Sequence, residues 1–310
     1  MLSYRTAFTS LLIGLLLAGC GGSDEVTTSD KSAGYLSLDV TDAPVDEADA
    51  VVIHFDAVTV QPEDGERQTY SVKDPVTGQS GRSIDLLQLA GGESVALLDS
   101  QQLTAGQYSW VRLDVDLDPT LSFIEILGQR HELRCTSCNN NGLKLNRSFN
   151  IPVEGIVAFT IDFDLRSSIT DPQSGTHYIL RPTLRIVDTE LAGNIAGTVD
   201  GTLIANLGGG SCGVYLYEGS GTTPNDIFLP ETGNPPSTWN NPVSSASVDS
   251  ASGSYTYEAG YLPAGTYTVA LTCDIQDEDP LNDDSGSIEF TGIDMITVTA
   301  GATTTKDFTL

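Results

Sequence analysis

Cys135 and Cys138, spaced as "CTSC", are side chains able to do chemistry, and their spacing admits three uses. Thioredoxin-like exchange needs the first thiol at a helix N-terminus, where its pKa is depressed, yet Asn139, Asn140, Asn141 and Gly142 follow, a turn cluster. Zinc needs four ligands, and His131 alone does not complete a tetrahedron. A small disulfide pinning a hairpin tip is the preferred reading. Around Ser211, "GGSCG" spells the G-x-S-x-G nucleophile elbow, which requires a strand before it and a helix after it. Val214, Tyr215, Leu216 and Tyr217 continue as a strand instead. His54, His131 and His177 form no legible trio with a nucleophile and an orienting acid. His54, out of phase with Ile53 and Phe55, faces solvent or a cross-strand acid. No catalytic residue is assigned, and the chain reads as a non-enzyme.

Oxygen ligands are more plentiful. "DIQDEDPLNDDSGS" at 274–287 offers Asp277, Asp279, Asn282, Asp283 and Asp284 in one loop. These hard donors suit calcium, the one cofactor the sequence suggests. The loop misses the EF-hand register and Pro280 interrupts it, so an acidic solvated loop is the preferred reading. Asp114, Asp116 and Asp118 recur on one side of a strand and need solvent, a cation or basic neighbours. For Asp162 and Asp164 in "DFD", a turn at 167–177 can bring Arg181 and Arg185 alongside as an ion-pair ladder, the preferred reading over a metal site. Asp42 in "TDAP" precedes Pro44 by two residues and reads as turn-forming, with calcium shared with Asp39 or Asp46 as the alternative. In the Pro-rich "PETGNPPSTWNNP", Trp239 either stacks on a sugar ring, making polysaccharide a candidate ligand, or folds back over its own domain.

The elements that must position these groups are strands. "YLSLDVT" sets Leu36, Leu38 and Val40 against Ser37, Asp39 and Thr41; "WVRLDVDLD" and "AFTIDFDLR" repeat the alternation. Strands with one wet face predict antiparallel sheets whose dry faces pack together. The fold class expected is all-β, two antiparallel sandwiches, with one short helical turn within residues 84–103. A break near residue 191, with Gly193 and Gly197, divides a first domain at 34–190 from a second at 193–310. "LTAGQY" at 103–108 is echoed by "LPAGTY" at 262–267, two tight turns each opening a strand at Tyr.

From Ala7 to Ala18 the chain is apolar apart from Thr9 and Ser10, short of the about 20 residues that span a bilayer. With Arg5 ahead and small residues behind, it predicts a signal peptide over 1–19. Leu17, Ala18, Gly19 and Cys20 resemble the lipobox of bacterial lipoproteins, which implies diacylation of Cys20, cleavage before it and a membrane anchor made of acyl chains. By the same resemblance, Gly21 after the cysteine points to the outer membrane. Residues 20–33 are small and polar, a flexible stalk. Acidic residues number 42 against 14 basic, a net charge of −28, which repels phosphate backbones and excludes nucleic acid as a partner. The partners expected are the membrane, through the anchor, and envelope proteins or polysaccharide. Setting Cys20 aside, Cys135, Cys138, Cys212 and Cys273 allow three pairings. Sequence proximity favours Cys135 with Cys138, and membership of one domain favours Cys212 with Cys273.

"GYLSLDVTDAPVDEADAVVIHFDAVTV", "SIDLLQL", "AGQYSWVRLDV", "FTIDFDLRSSI" and "YILRPTLRIVD" resemble the successive blocks of a bacterial lipoprotein domain family of unknown function, over about residues 34–188. The resemblance implies architecture and an envelope location, and no activity. From about residue 193 the chain resembles an immunoglobulin-like or carboxypeptidase-regulatory-like domain, and the "L-x-A-G-x-Y" corner is similar to that of transthyretin-like sandwiches.

Overall fold

The computed structural model describes residues 32–310 except 44–47, 139–141, 173–174, 231, 251–253 and 285; the expected leader, Cys20 and the stalk as far as residue 31 lie outside the described residues. Strands dominate, as the alternation predicts. Those of the first half are β1 (Ala33–Ala43), β2 (Ala50–Pro62), β3 (Gln68–Ser71), β4 (Arg82–Asp85), β5 (Val95–Thr104), β6 (Gly106–Asp116), β7 (Phe123–Ile126), β8 (Gln129–Arg134), β9 (Leu143–Leu145), β10 (Phe149–Ile151), β11 (Ile156–Asp164), β12 (Ile169–Thr170), β13 (His177–Leu180) and β14 (Leu184–Asp188). Those of the second are β15 (Ala192–Val199), β16 (Gly213–Glu218), β17 (Ser244–Ser247), β18 (Tyr255–Pro263), β19 (Gly265–Thr272), β20 (Thr291–Val298) and β21 (Thr303–Thr305).

Because alternate residues share a face, each strand can bury one row of side chains. In the first half the sheet β14-β11-β1-β5 faces a larger one, β10-β6-β2-β7-β8-β13-β12, with β3 and β4 paired to β2 and β9 to β6. Leu36, Leu38, Phe159 and Ile161 from one layer join Ile53, Phe55, Val58 and Leu113 from the other in a single buried core. In the second half β18-β15-β21 faces β17-β16-β19-β20, with Ile195, Tyr257 and Leu262 sharing a core with Val214, Leu216 and Val269. The sheets are not purely antiparallel: β1 runs parallel to β11, β8 to β13 and β15 to β21.

The echo between 103–108 and 262–267 is a structural repeat. At each corner the chain passes from one layer to the facing layer across one residue, Ala105 or Ala264. The tyrosine that follows donates its hydroxyl back to a carbonyl four residues upstream, Tyr108 to Thr104 at 2.8 Å and Tyr267 to Pro263 at 2.7 Å, a tyrosine corner in each half. Ala105 N–H donates to Ser32 O just before β1, and Ala264 N–H to Leu191 O just before β15. Glu154 N–H reaches Ala33 O as Gly301 N–H reaches Ala192 O. Gly34 and Gly193 occupy matching positions, and a Cβ there would lie 2.1 Å from Pro152 O or 2.2 Å from Thr299 O. The first sandwich is this repeat enlarged by extra strands.

Helical turns are more numerous than the one expected within 84–103, which is a 3-10 turn at Leu86–Leu89 capped by Asp85. Further short turns are α1 (Leu165–Ser168), α2 (Gly201–Asn206) and 3-10 turns at Thr189–Leu191 and Ile275–Asp277. Asp164, Asp188 and Asp200 each accept from an amide two or three residues on, satisfying orphan donors of the first turn.

Strand β11 departs from the wet-face expectation. Thr160, Asp162 and Asp164 are buried along with Phe159, Ile161 and Phe163: β11 lies between β1 and β14, and the three polar side chains are bonded by Thr189, Arg185 and Ser167. Asp162 pairs with Arg185 across β14, as the ladder reading requires. Asp164 does not pair with Arg181; its carboxylate accepts from Ser167 N–H at 3.0 Å and Ser167 Oγ at 2.7 Å. Asp42 accepts from Leu165 N–H at 3.3 Å, tying β1 to α1 across 123 residues; the turn expected of it, with Pro44 and Asp46, lies outside the described residues.

Residues 32–310 form one compact unit. Arg166, 3% exposed, donates to Ser245 Oγ at 3.0 Å and Ser247 Oγ at 2.9 Å on β17 and lies over the Tyr215 ring of β16. On the other side Tyr261 O–H donates to Ser94 Oγ, which donates to Asp39.

Candidate functional site

Three carboxylates from two loops meet beside β16: Asp226, Glu278 and Asp284 each offer an oxygen, and these lie within 4.8 Å of one another. Of the five acidic-loop residues singled out from the sequence, Asp284 alone belongs to the cluster. Asp279 accepts from Leu281 N–H and Asn282 Nδ2, which closes the loop on itself, while Asp277 and Asp283 are exposed. Glu278, inside the same acidic run, and Asp226, 52 residues upstream of it by position, escaped sequence reading because only the fold brings them together.

Each member is held by a donor. Asp226 is 1% exposed, and its Oδ2 accepts from Asp284 N–H at 2.6 Å. Asp226 Oδ1 is buried with no hydrogen-bond partner. Glu278 Oε2 accepts from Tyr215 O–H at 2.7 Å, and Glu278 Oε1 from Ile227 N–H at 3.2 Å. Asp284 Oδ2 accepts from Asp279 N–H at 2.7 Å. Burial pushes the Glu278 carboxyl up to about 7, against the pull of the Tyr215 hydroxyl and Ile227 amide. Burial likewise raises Asp226 and Asp284, opposed by the amides that bond them and reinforced by neighbouring aspartates. Desolvation disfavours the charged form, and crowded like charges add to it.

The loop "PETGNPPSTWNNP" braces this site. Trp239 is half-buried, not presented: its Nε1–H donates to Asp226 O at 3.1 Å and its ring meets Phe228 edge-on at 5.4 Å. Asn240 N–H donates to Asn225 Oδ1, and Asn241 Oδ1 accepts from Phe228 N–H. Glu278 also lines a cavity of about 230 Å³ between the sandwiches, with Ile124, Ile169 and Tyr178 on one side and Ile275 and Pro280 on the other. Hard oxygens preorganised by amides can hold a cation.

The remaining sequence candidates are engaged structurally. Cys135 is bonded to Cys138, and Cys212 to Cys273. Ser211 stands in an exposed loop before β16, next to a bonded cysteine and not ahead of a helix. His54 stacks in a row with Ser83 and Asp56, Nδ1 to Ser83 Oγ at 2.8 Å and Nε2 to Asp56 at 3.6 Å. Ser83 Oγ also donates to Leu121 O at 3.1 Å. His131 packs edge-on against Tyr178, and His177 Nδ1 meets Thr176 Oγ1. Asp114 is paired with Arg112 at 2.6 Å and accepts from Thr59, while Asp116 and Asp118 cap the turn that follows.

A family model described as a domain of unknown function (DUF4382) matches residues 33–182. No curated protein matches the chain. Among solved structures, it is similar to a leucine-rich repeat protein of Bacteroides thetaiotaomicron at 12% identity and TM-score 0.21, over 90% of this chain and 26% of that one. The Bacillus anthracis TIE protein matches at 12% identity and TM-score 0.20, over 89% and 33%. The chain thus spans a quarter to a third of the length of these two. The minor pilin of Streptococcus agalactiae matches at 12% identity and TM-score 0.21, over 88% and 94%. Likeness at this level transfers no role.

Proposed function

We propose that the chain is a non-enzymatic lipoprotein of the bacterial cell envelope, held to the outer membrane by acyl chains on Cys20 and presenting two fused β-sandwiches as a structural or interaction module. One observation carries this reading: the five cysteines divide into one at the end of a lipobox and two closed pairs. Disulfides persist in oxidising compartments, which supports export of everything after Cys20. Among the described residues, Asp114 and Asp162 are ion-paired and Asp116, Asp118 and Asp164 accept from local amides, which supports a role in presentation. No helix among the described residues is long and apolar enough to cross a membrane. Its partners are envelope proteins or polysaccharide; the net charge of −28 disfavours nucleic acid.

Mass spectrometry of the protein extracted from envelopes tests it. The N-terminal peptide is expected to begin at Cys20 and carry fatty acid, and Cys20→Ser is expected to abolish both cleavage before Cys20 and acylation. An intact leader with no acyl chain on the native protein would overturn the reading.

A further inference from the structure

We propose that the second sandwich binds one calcium ion between the carboxylates of Asp226, Glu278 and Asp284, and that the ion staples the loop before β17 to the loop after β19. This goes beyond the envelope reading and does not depend on it.

Two independent observations point to a ligand. Three carboxylate oxygens lie within 4.8 Å of one another, which is twice a calcium–oxygen distance of about 2.4 Å. Separately, Asp226 Oδ1 has no hydrogen-bond partner although the residue is 1% exposed. A buried carboxylate oxygen left unpaired is costly, and a cation on that oxygen removes the cost. The other oxygen of Asp226 is fixed by Asp284 N–H, Glu278 by Tyr215 and Ile227, and Asp284 by Asp279 N–H. The carboxylates are therefore oriented before any ion arrives, as donors around a metal are in established sites. An all-oxygen set with no imidazole or thiolate disfavours zinc and copper. Magnesium demands a near-ideal octahedron, whereas calcium accepts irregular and bidentate carboxylates, which suits donors drawn from two loops.

The loops give the ion a structural task. Leu229 N–H donates to Pro280 O at 2.6 Å, so the two segments already touch at one point. The cation would fix a second, beside the cavity where the first sandwich meets the second.

Terbium luminescence and calorimetry on the chelator-treated mature chain test this. Tyr215 bonds Glu278 and Trp239 bonds the Asp226 carbonyl, so excitation of these rings is expected to sensitise bound terbium, and calcium is expected to quench the emission by displacement. Calorimetry is expected to show one site with a dissociation constant of about 10⁻⁴–10⁻³ M, the range of extracellular modules. Asp226→Asn is expected to weaken calcium binding at least about tenfold, the loss of one of three charged ligands. Asp277→Asn and Asp283→Asn, on the exposed part of the same loop, are expected to leave it nearly unchanged. Should Asp226→Asn fail to fold by circular dichroism, Glu278→Gln makes the same measurement. Absence of heat and of sensitised emission, equal weakening by Asp283→Asn and Asp226→Asn, or magnesium binding as tightly as calcium would each overturn the proposal.

Discussion

Arg166 is where the two sandwiches are joined, and removing it should uncouple them. Its guanidinium is buried, donates to Ser245 and Ser247 of the second sandwich, and sits close enough to Asp42, Asp164 and Glu278 to pull their pKa values down. Hydrogen bonds from a charged donor contribute about 1.5–3 kcal/mol each. Stripping the partner from buried charges costs about 3–5 kcal/mol, so Arg166→Met should lose about 4 kcal/mol at pH 7. Burial, then the charges of Asp162 and Asp164, already holds Asp42 well above the usual carboxylate range, and burial raises Asp164. Without the guanidinium both rise further. A carboxyl whose pKa is higher folded than unfolded contributes stability that is whole below the unfolded value and is lost as pH rises through the folded one. The penalty of Arg166→Met should therefore be smallest in acid and grow toward neutrality.

The two tryptophans make the assay direct, because Trp110 lies on β6 of the first sandwich and Trp239 in the second. Denaturant unfolding followed by fluorescence, with Trp110→Phe or Trp239→Phe to isolate each signal, should give coincident midpoints for the parent and separated midpoints for Arg166→Met. A double-mutant cycle with Ser245→Ala should show coupling of about 1.5–3 kcal/mol. A pH-independent penalty below about 1 kcal/mol, or additive single effects, would refute the assignment of Arg166 as the joint.

Replacing Cys212 and Cys273 by alanine, 61 residues apart, should cost about 4 kcal/mol in the chain-entropy model, against about 2 kcal/mol for Cys135 and Cys138; denaturant midpoints of the two double variants check the ratio. Glu154, at φ +55°, occupies the place that Gly301 fills at +69° in the second sandwich, so Glu154→Gly should stabilise by about 0.5–1 kcal/mol, read as a higher melting temperature. Tyr108→Phe and Tyr267→Phe remove equivalent hydroxyl bonds and should each lower stability by about 1 kcal/mol in chemical denaturation. A large disparity between them would undo the structural equivalence of the two corners.

Much of the fold was legible because one-sided burial writes itself as alternation: Leu36, Leu38 and Val40 are core residues, and Phe159, Ile161 and Phe163 face the same interior. Alternation misleads where both faces of a strand are covered. On β11 the polar row Thr160, Asp162 and Asp164 still looks like a wet face, and nothing local reveals that Thr189, Arg185 and Ser167 close over it. Of the candidate site only Asp284 was legible, since an acidic run is visible as composition while its burial is not. Asp226 carries no local sign of being 1% exposed, and Trp239 reads as presented until Asp226 O is found under its indole nitrogen.

By itself the chain of residues determined the alternating strand faces and the two echoed corners and favoured the disulfide partners, because each follows from periodicity or from neighbours in sequence. Tertiary structure alone decided which strands run parallel, that Asp42 bonds a residue 123 positions away, and that three carboxylates converge beside Tyr215. Those outcomes depend on how closing one sheet over another brings distant segments within hydrogen-bond range, and contacts of that kind leave no period in the sequence to read.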